Sequence, residues 1–272
     1  MKSLQILSLC SLALPTTSLF VLLPLYVYPG PSASAWNNVT TAIAAYPTVQ
    51  WQIIINPNSG PDTTSYPTDS NFITGISNLN KYPNVITLGY VRTTYAQRPY
   101  ANVTSDIDVY AYWASYSGAN ISIGGIFFDE VTGEDNTPAS IQTYYENLSA
   151  YAYDKVPSTV TPVVFNPGSP GLPALFDSCD TMVEFESPLS SYGGLKTIQA
   201  LPAGYADQSS LIIYNATAAT NVKSLVHTMS VNGVGSTFFD YGVCFYQGQP
   251  TGCYNTFSLT NLKLLAAAVQ AG

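Results

Sequence analysis

Three carboxylates stand where apolar runs give out. Gly124-Gly125-Ile126-Phe127-Phe128 leads into Asp129 and Glu130, and Val183-Glu184-Phe185 leads into Glu186. Two acids facing one another across a cleft can divide general-acid and nucleophilic work at a sugar C1: one is ionised, the other protonated. A separation of ~5–5.5 Å implies retention of configuration and ~6.5–9.5 Å inversion. The sequence leaves that choice open. The plainer reading of an Asp-Glu pair is a helix start, with Asp129 as cap and Glu130 favouring the dipole. Glu184, two residues before Glu186, would share its face deeper in the strand. Asp240 follows Phe238-Phe239 much as Asp129 follows Phe127-Phe128.

The elements that would position these groups recur along the chain. Apolar, strand-like runs cover Phe20–Tyr28, Val49–Asn56, Val85–Thr93, Ile121–Glu130, Pro162–Asn166, Thr181–Glu186, Ser209–Asn215 and Gly235–Tyr241. Segments of helical pattern separate them, among them Asp69–Tyr82, Thr104–Ser117, Thr217–Asn232 and Ser258–Ala271, with Asp69 and Thr217 as caps. Strands buried on both faces alternating with helices predict a parallel sheet, and eight such units fit a closed (β/α)8 barrel in a single α/β domain, 19–272. A doubly wound open sheet is the rival, but no Gly-rich phosphate loop follows any strand. In a barrel the strand ends carry the chemistry. Here they offer Tyr26 and Tyr28, Asn56, Tyr90 and Arg92, Asn166 and Asp240 as substrate-binding residues beside the acids. Asn and Asp hydrogen-bond sugar hydroxyls, and Tyr stacks on pyranose faces.

Composition narrows the partners. Of the 272 residues only 9% are charged, with 21 tyrosines, and the net charge is −8. Nucleic acid needs a basic surface and is not expected as a partner. A single His227 and four cysteines, none at metal-ligand spacing, predict neither a metal site nor a cofactor. Lys2, the apolar stretch Leu4–Leu14 and the small residues Thr16-Thr17-Ser18 read as a signal peptide, 1–18, although an anchor left uncleaved is the alternative. No later run is long enough to span a membrane, so stable membrane insertion is not expected. Sequons at Asn38, Asn102, Asn120, Asn147 and Asn215 agree with secretion, extracellular or to the cell wall, and a monomer is expected. Cys244 and Cys253 flank a Gly/Pro/Gln loop and could close it, leaving Cys179 unpaired; other pairings stay open.

Val21-Leu22-Leu23-Pro24-Leu25-Tyr26-Val27-Tyr28-Pro29, Ile55-Asn56-Pro57-Asn58-Ser59-Gly60-Pro61, Gly89-Tyr90-Val91, Gly125-Ile126-Phe127-Phe128-Asp129-Glu130 and Phe185-Glu186 resemble the spherulin-four proteins, spherulation-specific family four, over nearly the whole chain past the leader. The resemblance implies a secreted (β/α)8 glycoside hydrolase acting on α-1,4-linked N-acetylgalactosamine. That linkage occurs in galactosaminogalactan, a partly deacetylated, cationic fungal polysaccharide. It carries the acids over to Asp129 as nucleophile, Glu186 as acid/base and Glu130 as a group that orients substrate. Arg92 departs from the neutral or His residue expected at its position. A wall or spore-coat protein that binds glycan without cleaving it would keep the aromatic and Asn rim but would not need all three acids.

Overall fold

The structure, a computed structural model, describes residues 19–133, 138–158, 160–255 and 257–272. The proposed signal peptide lies outside the described residues. Each apolar run becomes a strand: β1 (Phe20–Leu25), β2 (Trp51–Ile55), β3 (Val85–Arg92), β4 (Gly125–Asp129), β5 (Val163–Asn166), β6 (Thr181–Pro188), β7 (Ser209–Tyr214) and β8 (Ser236–Phe239). They pair in chain order, all parallel, and β8 returns to β1, closing an eight-stranded barrel. Closure removes the sheet edges, which is why nearly every residue of β2, β4, β5, β7 and β8 can be buried, most of them apolar.

The helices are α1 (Asn37–Ala45), α2 (Ser70–Leu79), α3 (Tyr100–Tyr112), α4 (Ala139–Lys155), α5 (Leu195–Gln199), α6 (Val222–Val231) and α7 (Leu259–Ala271). Asp69 caps α2 through the Asn71 N–H, as its position predicts. The cap of α6 is Asn221, accepting from the Ser224 N–H, and not Thr217. Thr217 instead belongs to a turn with Thr220. Helix α3 starts at Tyr100, four residues before the expected Thr104, because Pro99 supplies a natural start and leaves no N–H to orphan. Its Tyr110 lies against Gly89 of β3, where a Cβ would come within 2.6 Å of the ring. That contact lets the Tyr110 hydroxyl donate to the Tyr90 carbonyl at 3.0 Å, just below the barrel mouth.

Between β8 and α7 a small antiparallel hairpin was not foreseen: β9 (Cys244–Tyr246) pairs with β10 (Gln249–Thr251). Gln247 and Gly248 both have positive φ, 51° and 79°, the geometry of the two-residue turns that match strand twist. Cys244 and Cys253 are joined, and Cys179 is free and buried. Among the described residues no helix is long and apolar enough to cross a membrane. Four sequon asparagines, Asn38, Asn102, Asn120 and Asn147, are exposed, and Asn215 is half-buried.

Candidate active site

Parallel register decides which side chains look into the barrel mouth, because paired residues share a face. Asp129 is level with Arg92 on one side and Asn166 on the other. Tyr90 pairs with Phe127, two residues below Asp129 on the same face. On β6 the alternation breaks. Val183 pairs with Ser210, but Phe185 pairs with Leu211 and Glu186 with Ile212, so Glu184 is an extra residue in a bulge. The bulge shifts the strand's phase and turns Glu186, rather than Phe185, into the mouth. It also overturns the expectation that Glu184 and Glu186 share a face. Glu184 packs beside Met182 at Gly171, and its carboxylate accepts the Gly171 N–H at 2.8 Å.

Asp129 and Glu186 meet over Asn166. The Asn166 Nδ2 donates to Asp129 Oδ1 at 3.0 Å and to Glu186 Oε2 at 2.8 Å, one hydrogen to each acid. Its Oδ1 accepts the Gly168 N–H at 3.0 Å, which fixes the amide with its donors towards the carboxylates. Each acid has a tyrosine on its other oxygen. Tyr90 donates to Asp129 Oδ2 in a short bond, and Tyr254 donates to Glu186 Oε1 at 2.7 Å. Tyr26 stands edge-on to both, with ring centroids 5.8 Å from Tyr90 and 5.6 Å from Tyr254. Burial raises the Tyr26 hydroxyl's pKa, and the charges of Asp129 and Glu186 add to that. The Tyr90 hydroxyl is raised as well, first by burial and then by Asp129. Both phenols therefore stay protonated, and Tyr90 does so as a donor. Burial lifts the Asp129 carboxyl to about 6, the Tyr90 bond opposes it, and the Glu186 charge raises it further.

Glu130 sits at the lip of the mouth. Its φ of 54° is a left-handed backbone that a non-glycine residue holds only when its surroundings enforce it. The enforcement is visible. The Glu130 carbonyl accepts from Tyr95 N at 2.7 Å and from Thr93 Oγ1 at 2.7 Å, while Thr93 N holds the Asp129 carbonyl at 3.0 Å. The Glu130 carboxylate pairs with Arg92 Nε at 2.8 Å on the exposed rim. The turn thus separates two adjacent acids, one into the cleft and one onto its lip.

Of the residues singled out from sequence, Tyr26, Tyr90, Asp129, Asn166 and Glu186 gather in one contact network. Arg92 and Glu130 sit beside it, paired with each other. Asn56 closes β2 with its Oδ1 buried and without a protein partner. Tyr28 does not join the network. The strand ends at Leu25, and the Tyr28 hydroxyl donates to Asp69 Oδ2 at 2.7 Å and accepts from Asn71 Nδ2 at 2.7 Å, tying its loop to the start of α2. Asp240 is 2% exposed and fully engaged with backbone. Its Oδ1 accepts from Gly242 N at 3.1 Å and its Oδ2 from Cys253 N at 2.8 Å and Tyr254 N at 3.3 Å. Rather than facing a sugar, it clamps the two stems of the hairpin and so seats Tyr254. Sequence reasoning missed Tyr254 because it lies in a loop; its one signal is adjacency to Cys253. Among the described residues no group of three His, Cys, Asp or Glu is placed to hold a metal ion.

Comparison with known proteins agrees with this architecture. A protein 32% identical over 260 residues, spanning 92% of this chain and 70% of its own, is Spherulin-4 of Physarum polycephalum. The crystal structure of Aspergillus clavatus Sph3 in complex with GalNAc matches with a TM-score of 0.80 at 30% identity, over 92% of this chain and 98% of that one. More distant in sequence, at 11% identity, are the glycoside hydrolase domain of PgaB (BpsB) from Bordetella bronchiseptica, with a TM-score of 0.55 over 82% of this chain and 93% of that one, and the endo-1,4-beta-mannanase of Rhizomucor miehei, with 0.59 over 96% of each; these two speak to the barrel alone. The profile of spherulation-specific family 4 matches residues 20–267, and the chain belongs to that family.

Proposed function

We propose that the protein is a secreted glycoside hydrolase that cleaves α-1,4-linked N-acetylgalactosamine in a galactosaminogalactan-type polymer with net retention. The observation that carries this reading is the single Asn166 amide shared by two carboxylates. Because both distances run to the same nitrogen, the facing oxygens of Asp129 and Glu186 can be no farther apart than 3.0 Å and 2.8 Å laid end to end. Facing oxygens that close favour the ~5–5.5 Å separation of carboxyl groups in a retaining pair over the ~6.5–9.5 Å of an inverting one. The likeness to Sph3, whose structure was solved with GalNAc, supports the choice of sugar.

In the first step the Asp129 carboxylate attacks C1 as the glycosidic C1–O bond breaks, and Glu186 gives its proton to the leaving oxygen. In the second, Glu186 takes a proton from water, the water oxygen bonds to C1, and Asp129 is released. Donors occupy both oxygens of each acid, Tyr90 and Asn166 on Asp129 and Tyr254 and Asn166 on Glu186, so the assignment of nucleophile and acid follows the family resemblance. Asp129 at about 6 sets the acidic limb of the pH profile: rate is lost as pH falls through that value and the nucleophile protonates.

The test is release of oligosaccharides from purified galactosaminogalactan by the wild type and by Glu186→Gln, with a loss of ~10³-fold or more expected in the variant. Azide separates the roles. With Asp129→Gly, azide should yield a glycosyl azide of inverted configuration, whereas with Glu186→Ala the azide should be of retained configuration. No release by the wild type, or unchanged release by Glu186→Gln, would remove the reading.

A further inference from the structure

From Tyr241 to Phe257 the chain holds no charged residue and no histidine, and within this stretch lies the hairpin β9–β10. Its tip exposes Phe245 and Tyr246 by 65% and 70%, and Tyr246 is the most exposed large hydrophobic side chain among the described residues. Neighbours on a strand point to opposite faces, so the hairpin presents one aromatic ring on each face. Exposing two rings costs solvation free energy and would normally be avoided on a solvated turn.

The arm is not loosely attached. Cys244 and Cys253 close its base with Cα atoms 5.3 Å apart, Asp240 holds both stems, and the Tyr214 hydroxyl donates to the Pro250 carbonyl at 3.3 Å. The residue after Cys253 is Tyr254, whose hydroxyl donates to Glu186. The hairpin is therefore a rigid continuation of the wall that carries one of the two facing acids. Its surface is made of rings, Gln247, Gln249 and Thr251, which offers stacking and amide hydrogen bonds but nothing to recognise a charged partner.

We infer that this hairpin is a polymer-binding arm of the cleft: Phe245 and Tyr246 stack on pyranose units of the polysaccharide beyond the unit held between Asp129 and Glu186. The inference rests on the hydrolase reading above and extends it from the cleavage point to flanking sugars. A second copy of this chain seated on the same rings is the competing occupant.

The test uses the full-length secreted protein with Glu186→Gln as a non-cleaving parent, run in native gels cast with purified galactosaminogalactan. Adding Phe245→Ala and Tyr246→Ala should weaken retardation about tenfold or more, as loss of two stacking contacts implies, while the thermal midpoint holds. Should the alanine pair fold poorly, Phe245→Leu with Tyr246→Leu keeps the bulk, removes the ring faces and should show the same weakening. Equal retardation of the parent and the substituted protein overturns the arm alone. A parent that the polymer does not retard overturns the hydrolase reading together with the arm. A dimer in sedimentation that the substitutions dissolve, with retardation unaltered, assigns the rings to a second copy instead.

Discussion

Strands β4 and β6 each bring two acids to the rim, Asp129 and its neighbour Glu130 where β4 ends and Glu184 and Glu186, two residues apart, within β6. Simple alternation would put Asp129 and Glu130 on opposite faces and Glu184 and Glu186 on the same face. Both pairs end up divided by different devices, with Asp129 and Glu186 inward, Glu130 on the lip of the cleft and Glu184 on the outer face. On β4 a left-handed turn at Glu130, pinned by Thr93 and Tyr95, carries the second acid to the rim and its Arg92 partner. On β6 an inserted residue does it, and Glu184 is left against Gly171, lining a cavity of about 400 Å³ with Pro170, Phe185, Lys196 and Leu201. The inward acids are alike: each accepts one hydrogen of the Asn166 amide and one tyrosine hydroxyl. What makes a carboxylate part of the cleft here is strand phase and donor supply, more than its position in the sequence.

The largest effect is expected where the comparison is broken outright. Asp129→Asn keeps the shape and removes the charge, so hydrolysis should fall by ~10³-fold or more. The same change should stabilise the fold at neutral pH. Burial raises Asp129 to about 6, so between its ordinary value and 6 the folded state holds a proton that the unfolded chain releases, and stability falls as pH rises through that window. Asparagine has no proton to lose there. A gain of about 1–3 kcal/mol at pH 7 that vanishes near pH 4, read from denaturant melts, is the expected pattern. Deleting Glu184 tests the phase itself. With the extra residue gone, Val183, Phe185 and Glu186 alternate regularly against Ser210, Leu211 and Ile212, so Glu186 should stay inward, Phe185 should keep its contact with Tyr192, and activity should hold within about tenfold. A loss of activity as deep as in Glu186→Gln would show that Glu184 itself, and not strand phase, is what the cleft needs.

A smaller change tests the donors. Tyr254→Phe removes one of the two hydrogen bonds to Glu186 and leaves the ring packed beside Tyr26. Rate should fall ~10-fold, in line with the loss of one hydrogen bond to a charged group. An unmoved rate would leave Tyr254 a packing residue only.

The barrel was legible because burial on both faces writes long apolar runs, and eight of those alternating with helical stripes leave few closed alternatives. The positions of Tyr90, Asp129, Asn166 and Glu186 followed from where those runs stop. The rest depended on phase. Nothing in Met182-Val183-Glu184-Phe185-Glu186 marks a bulge, since it holds neither Gly nor Pro. Tyr26 and Tyr28 look equivalent on paper, but β1 stops at Leu25, and the chain turns before Tyr28 could share the mouth. Asp240 imitates Asp129 in its Phe-Phe-Asp context, yet the backbone N–H groups of a disulfide-closed hairpin surround it and take both of its oxygens. Such competition between side chain and backbone partners is settled by loop geometry, which local sequence does not encode.

The finest test sets the two inner-strand acids side by side through pH alone. Burial lifts Glu184 to about 7, opposed only by the Gly171 N–H. Its folded value therefore exceeds its unfolded one, and stability falls as pH rises from about 4.5 to 7, the sign found for Asp129 in a higher window. Glu184→Gln keeps an amide oxygen for Gly171 and stays neutral throughout. At pH 8 its thermal midpoint should exceed wild type by about 2–4 °C, the size of a ~1 kcal/mol change in a chain of this length, and near pH 4 the two should coincide. Hydrolysis should be little altered, because Glu184 touches neither Asn166 nor a tyrosine of the cleft. Stabilisation accompanied by loss of activity in Asp129→Asn, against stabilisation without it in Glu184→Gln, would divide the acids by function where their raised pKa values do not. A collapse of activity in Glu184→Gln would instead place the outward acid in the machinery, acting through the Gly168–Gly171 loop that orients Asn166.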